Sequence, residues 1–139
     1  MEQIASSINS IANYDVYNNI SQLVDIDKNI ASAVFSELLC WACEPQNIPS
    51  IEAARNLLLQ LPKEFLEEKT KETVLKHIVD ISDDWEYRRL LEFCELVSID
   101  LLNWSLDLPI DITRVSNIDD IQECITDFRA VATKMSNNQ

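Results

Sequence analysis

Two cysteines separated by two residues, Cys40 and Cys43, form the one CxxC motif of the chain. This spacing is used by redox-active dithiols and by one half of many zinc sites. A thioredoxin-type dithiol lies where a strand turns into a helix, and no strand pattern precedes Cys40. A zinc site needs a second pair, whereas Cys94 and Cys124 each stand alone. We therefore expect Cys40 and Cys43 to be small apolar side chains of a packed helix, although the sequence leaves a redox role undecided.

Two acidic clusters have a spacing that is also found in metal-binding helices: Asp83-Asp84 with Glu86, and Asp119-Asp120 with Glu123. They are faintly similar to the aspartate-rich motifs of helical prenyl-transferring enzymes, which are much longer chains. Each cluster here opens a predicted helix, where the helix dipole stabilises carboxylates. We therefore predict no metal site and no cofactor.

The chain contains one histidine, His77, and no glycine. A single histidine cannot form a histidine-based metal site, and a Ser-His-Asp triad would arise only by coincidence. Dinucleotide fingerprints, P-loops and nucleophile elbows all require glycine. Since no nucleophile and base occur in a recognisable arrangement, we predict that the protein is not an enzyme.

Apolar residues recur at three- and four-residue steps along most of the chain, which is typical of amphipathic helices. This pattern predicts helices over residues 2–13, 15–24, 28–44, 51–60, 62–81, 83–108 and 117–134. The predicted fold class is all-α, with six to seven helices in consecutive antiparallel hairpins, as a compact bundle or an irregular helical stack. At 139 residues, we expect a single helical domain over residues 1–139. Segment 28–44 has apolar side chains on one side and small side chains on the other, so other helices can pack closely on both sides. We therefore expect this helix to be central.

The longest helical pattern, residues 83–108, has two contrasting sides. One side is apolar and is expected to be core: Tyr87, Leu90, Leu91, Cys94, Val97, Leu101, Leu102 and Leu108. The other side mixes carboxylates with apolar groups: Trp85, Arg89, Glu92, Leu96, Asp100, Asn103 and Asp107. A purely solvated face does not need Trp85 and Leu96. The segment has one candidate break, at Ser98, where a new helix could begin.

The charge of the chain is strongly negative, with a net value of −13. From Asp80 to Asp127 there are thirteen acids and only three arginines. This charge repels nucleic acid and anionic lipid, and it attracts basic protein partners. The alternative is that the acids serve solubility alone. Because aromatic anchors surrounded by charge are typical of protein interfaces, we predict a partner-binding surface formed by Asp83, Asp84, Trp85, Glu86, Glu92, Leu96, Asp100 and Asp107.

The N-terminal sequence MEQIASSINS has no basic region followed by a long apolar run, so we expect no signal peptide. No segment approaches the length of an apolar membrane span. Four widely spaced cysteines suggest a reducing compartment. The expected location is the cytoplasm.

The stretch WEYRRLLEFCELVSIDLLNW, directly after Asp84, resembles segments of small acidic helical proteins encoded beside bacterial toxins. The broader likeness is to the α-helical immunity proteins of contact-dependent inhibition and other polymorphic-toxin systems. This resemblance implies binding and neutralisation of a cognate toxin domain, often a basic nuclease, without turnover. An alternative function is a helical adaptor or scaffold that binds a partner peptide or protein in a groove between helices. The sequence does not give the oligomeric state.

Overall fold

The computed structural model describes residues 2–115 and 117–138, and these residues form helices and connecting turns without a strand. The elements in chain order are α1 (Glu2–Ala12), a first 3₁₀ helix (Tyr17–Val24), α2 (Lys28–Ala42), α3 (Ile48–Leu58), α4 (Lys63–Leu75), α5 (Asp84–Val97), α6 (Ile99–Leu106), a short 3₁₀ turn (Ile112–Arg114) and α7 (Ile118–Asn137). The all-α prediction is therefore confirmed. When the 3₁₀ helices are counted, the predicted number of six to seven helices is slightly low.

Helix α2 lies at the centre of the fold and packs against α1, α3, α4 and α5. It begins at the N-cap residue Asp27, whose side chain accepts hydrogen bonds from the backbone N–H groups of Asn29 and Ile30. Five of its apolar side chains are fully buried: Val34, Phe35, Leu38, Leu39 and Ala42. The central position predicted for this segment is confirmed. Buried side chains from Ile4 to Ala132 form one continuous apolar cluster around it.

Ser98 divides the longest predicted helix into α5 and α6. Its backbone is extended, with φ −168° and ψ 157°, and its hydroxyl accepts a hydrogen bond from the Leu101 N–H at 3.1 Å. The same hydroxyl donates to the Glu67 carboxylate of α4 at 2.7 Å. Ser98 therefore caps α6 and links it to α4, which makes a continuous helix impossible at this residue. Six of the eight expected core residues of this segment, including Tyr87 and Leu102, are buried, whereas Val97 and Leu108 are half-buried.

Helix α4 ends at Leu75, six residues before the predicted end of this segment. His77 adopts the left-handed conformation, with φ 60°. The N–H of His77 donates to the Val74 carbonyl, and the N–H of Ile78 donates to the Thr73 carbonyl. This is the Schellman arrangement that ends many helices, usually with glycine at the left-handed position. Because the chain has no glycine, the usual sequence signal for this end is missing.

Two other elements differ from their predictions. The segment after Asp15 is a 3₁₀ helix that is interrupted at Asn19, rather than an α-helix. Helix α3 begins at Ile48, three residues earlier than predicted, because the Asn47 side chain accepts a hydrogen bond from the Ser50 N–H. Val16, Ile20 and Leu23 of the 3₁₀ segment are buried, whereas Val24 is exposed. Among the helices described, none has the length and apolar character needed to cross a bilayer.

Candidate partner-binding surface

Two large apolar side chains project from the outer side of α5. Trp85 is 51% exposed and Leu96 is 54% exposed, whereas most large apolar side chains of this helix are buried. They are eleven residues apart, which is close to three full turns, so they point in nearly the same direction about 16 Å apart along the axis. This arrangement matches the sequence prediction that both residues face away from the core.

Between these two side chains, Arg89 and Glu92 belong to an ion-pair network. The Arg89 guanidinium lies 5.4 Å from the centroid of the Trp85 ring. The carboxylate of Glu92 accepts hydrogen bonds from Arg89 Nη1 at 3.1 Å and from Arg55 Nη2 of α3 at 3.0 Å. Arg89 Nη2 also donates to the carbonyl of Pro45 at 3.1 Å. The network therefore fixes the outer side of α5 against α3 and the loop that precedes it.

Glu92, one of the predicted partner-binding residues, is the centre of this network. Its carboxylate binds two arginines, and its side chain is only 29% exposed. The Arg55 and Arg89 side chains are 14% and 15% exposed. The Glu92 carboxylate therefore neutralises two largely buried guanidinium groups within the protein. Periodicity placed Arg89 and Glu92 on one face, but Arg55 is far away in sequence and gave no signal.

A second group of predicted residues lies on α6. Asp100 and Asp107 are both exposed and lie seven residues apart, with exposed Asn103 between them. The carboxylate of Asp107 accepts a hydrogen bond from Arg129 Nη2 of α7 at 3.0 Å. Both partners of this ion pair are exposed, so solvent screens the interaction and its contribution to stability is small.

Helix α7 packs against both α5 and α6, which also pack against each other. Arg88 of α5 pairs with Asp127 of α7 at 3.6 Å, while Asp107 of α6 pairs with Arg129. Asp127 and Arg129 are two residues apart and therefore project about 200° from one another around α7. These two ion pairs place the α5 residues on one flank of α7 and the α6 residues on the other.

Helix α7 supplies exposed acids that the predicted binding set omitted: Asp119, Asp120, Glu123 and Asp127. The sequence analysis assigned most of them to the helix start, where they do lie, and the dipole argument still holds. Their spacing on an exposed helix also extends the acidic surface from α6 across α7. We call the exposed residues Trp85, Leu96, Asp100, Asp107, Asp119, Asp120, Glu123 and Asp127 the outer acidic surface.

The remaining predicted residues lie at the start of α5. Asp83 is the N-cap, and its carboxylate accepts hydrogen bonds from the N–H groups of Trp85 and Glu86, both at 3.0 Å. Asp84 is half-buried at the first position of the helix. Burial raises the pKa of Glu86 above its usual value of 4.5; a hydrogen bond from the Asp80 N–H partly offsets this, and Asp83, Asp80 and Glu44 raise the pKa further. These three acids therefore shape the helix start more than they extend the exposed surface.

The cysteines have the environment of structural thiols. Cys40 is exposed and Cys43 is buried, and both are free. Burial, followed by the charges of nearby glutamates, raises the pKa of the Cys40 thiol, and burial raises the pKa of Cys43 well above its usual value. A reactive dithiol needs the opposite shift. Within residues 2–115 and 117–138, no group of three or more histidine, cysteine or acidic side chains is placed to hold a metal ion.

Comparisons with known proteins do not supply a family for this fold. No protein-family model matches the sequence, and no curated protein or solved structure is significantly similar to the chain.

Proposed function

We propose that this protein is an immunity protein that binds and neutralises a basic toxin domain, of nuclease type, in the cytoplasm. The observation that carries this proposal is the pair Trp85 and Leu96, which are exposed on one line of α5 beside a helix bearing four exposed carboxylates. Large apolar anchors are typical of the centre of an interface, and charges are typical of its rim. The proposal also draws on the resemblance of the α5–α6 sequence to small acidic immunity proteins.

The charge distribution favours a cationic partner. Most of the net charge of −13 comes from residues 80–127, which include α5, α6 and the first half of α7. Such a field accelerates the encounter with a basic surface, and salt weakens the effect because the screening length is about 8 Å at physiological ionic strength. The exposed carboxylates would then bind lysine and arginine side chains that otherwise contact nucleic-acid phosphates.

The residues have separate roles in this proposal. Trp85 and Leu96 enter apolar recesses of the toxin, while Asp100, Asp107 and Glu123 steer its approach. Glu92 with its two arginines, and the N-cap Asp83, hold α5 in position. Neutralisation requires only that the bound protein cover the active site of the toxin, so no turnover takes place.

The first experiment is affinity capture from cells that naturally produce this protein, at low and at moderate salt, followed by mass spectrometry. We expect one basic protein, or a large protein with a basic C-terminal domain, retained at one copy per chain and partly released by salt. That partner should kill cells that lack this chain. A salt-insensitive partner of ordinary charge would instead favour a helical adaptor, and a harmless partner would contradict the proposal.

Charge variants test which acids are used. The triple variant Asp100→Asn, Asp107→Asn and Glu123→Gln should lower the association rate constant for the captured partner by about tenfold at low salt. The matched control is Asp25→Asn, Glu52→Gln and Glu64→Gln, which removes three exposed acids that lie outside the outer acidic surface. Equal losses from both triple variants would show that only total charge matters. No loss from either would show that charge does not steer this encounter.

A further inference from the structure

Three of the six lysines line one groove between α2 and α4, although the chain as a whole is strongly acidic. Lys28, Lys69 and Lys76 face a volume of about 470 Å³. Two glutamates, Glu68 and Glu72, also line the groove, so its local charge is positive by one unit. No element of the outer acidic surface contributes to this groove.

Lys69 is built into the wall of the groove. The residue is only 8% exposed, and its ammonium donates hydrogen bonds to Ser32 Oγ at 3.1 Å and to Glu72 Oε2 at 3.2 Å. It also lies 5.9 Å from the centroid of the Phe65 ring. A buried ammonium in two hydrogen bonds has one N–H remaining, because the lysine head group has three donors.

Glu72 does not satisfy the other donors of the groove. Its carboxylate already accepts hydrogen bonds from Lys69, from Lys76 at 3.2 Å and from the Ser32 hydroxyl at 3.0 Å. Burial alone would raise the pKa of Glu72, but these hydrogen bonds outweigh burial and lower the pKa below its usual value. Among the described residues, Lys28 forms no ion pair and the Ser36 hydroxyl forms no hydrogen bond.

A second cavity, of about 220 Å³, shares Lys28, Glu68 and Lys69 with the groove between α2 and α4. Its remaining wall is apolar and consists of Leu23, Val24, Ile26, Ala31 and Phe65. Lys28 and Lys69, together with Glu68, therefore stand at the boundary between the polar groove and a cavity whose remaining wall is apolar. Binding sites for small molecules commonly combine an apolar wall with a few polar groups that fix the orientation of the ligand.

We propose that these two compartments bind one small amphipathic anion, with an oxyanion head group beside Lys28, Lys69, Lys76 and Ser36 and a short apolar body against Val24 and Phe65. Ammonium and hydroxyl donors form charge-assisted hydrogen bonds with a carboxylate or a phosphate. The apolar wall selects against inorganic anions, which cannot fill the second cavity. This site is separate from the outer acidic surface, and its existence does not depend on the proposed immunity function.

The test uses hexanoate and hexyl phosphate as probes, with hexanol and inorganic phosphate as partial ligands. Titrations followed by backbone amide NMR should show both six-carbon anions shifting resonances of residues 23–36 and 65–76, with a Kd on the order of 1 mM or below. The ratio of the two affinities identifies the head group that the site prefers. Hexanol should bind at least about fivefold more weakly than hexanoate, and inorganic phosphate at least about fivefold more weakly than hexyl phosphate.

Variants separate the two halves of the site. Lys28→Gln with Lys76→Gln should weaken both anions at least about fivefold. The control pair, Lys63→Gln with Lys134→Gln, removes two exposed charges outside the groove and should change neither affinity. Val24→Ser, at a partly exposed position, should weaken hexyl phosphate but leave inorganic phosphate unchanged.

Several outcomes would overturn the proposal. Equal binding of hexanol and hexanoate would show that the lysines do not contribute to the affinity for the anion. Equal binding of inorganic and hexyl phosphate would show that the apolar cavity is unused. Equal losses from the groove pair and the control pair would reduce the effect to overall charge. Shifts confined to other helices of the unmodified protein would place the ligand elsewhere, independently of any variant.

Discussion

The Glu92 carboxylate should be required for stability rather than for partner binding, and Glu92→Ala tests this directly. The substitution removes the acceptor of hydrogen bonds from Arg55 Nη2 and Arg89 Nη1. Both guanidinium groups stay in place through backbone carbonyls, Arg55 on Arg89 and Arg89 on Pro45. Two largely buried positive charges would then lie close together without a counter-ion.

The magnitude follows from the burial of the three side chains. Breaking a fully buried ion pair costs about 3–5 kcal/mol, and an exposed pair contributes about 0–1 kcal/mol. The arginines are about 85% buried and Glu92 is 29% exposed, so a cost of about 2 kcal/mol lies between these limits. For a chain of 139 residues, this corresponds to a decrease in Tm of about 7 °C.

Urea unfolding, followed by circular dichroism, measures this cost. The m-value should stay constant while the midpoint falls. Asp100→Ala is the matched control, because Asp100 is an exposed acid in the first turn of α6, and it should change the free energy of unfolding by less than about 0.5 kcal/mol. A Glu92→Ala protein as stable as the control would refute the structural role of the network.

Three further predictions concern local chemistry. His77→Gly should raise the free energy of unfolding by about 0.5–1 kcal/mol in urea titrations, because φ is 60° at this residue. Lys76→Gly, at a position with φ −86°, should lower the free energy of unfolding. The reverse order of stabilities would contradict the assigned helix end. Glu86→Gln should stabilise the fold slightly at neutral pH, by roughly 0.3 kcal/mol since solvent screens this carboxylate. Because the folded state raises the pKa of Glu86, this gain should disappear as the pH falls through that pKa to the usual value of 4.5; a gain independent of pH in thermal melts would exclude the charge as its cause. In thiol titrations with Ellman's reagent, Cys40 should react first and Cys94, whose pKa burial raises to about 12, only on unfolding; rapid reaction of Cys94 in the folded protein would show that it is not enclosed.

Helical periodicity predicted the parts of the fold that depend on local pattern. Tyr87 and Leu102 are buried, and Trp85 and Leu96 are exposed, as their steps along the helix require. The central position of α2 also followed from its composition, because small residues opposite an apolar side permit close packing on both sides. These successes share one cause, since an amphipathic helix carries its orientation in its own sequence.

The differences arise where distant residues or unusual backbone conformations decide the structure. The left-handed residue that ends α4 is His77, and without glycine this turn has no sequence signature. The ion-pair network of Glu92 was not predicted, because Arg55 belongs to α3 and is far from Glu92 in sequence. The groove between α2 and α4 was not predicted, because its polar side chains come from two helices: Lys28 and Ser32 lie on α2, and Lys69 lies on α4.

The central claim is that the exposed apolar pair on α5 serves to neutralise a toxic partner. Survival of cells that produce the captured partner, together with this protein, tests it most directly. Unmodified protein should restore growth, and Trp85→Ala with Leu96→Ser should fail to do so while keeping its helical spectrum and its Tm within about 2 °C. The control Leu59→Ser, at an exposed apolar position at the end of α3, should protect as well as unmodified protein. Full protection by the folded Trp85 and Leu96 double variant would contradict the account.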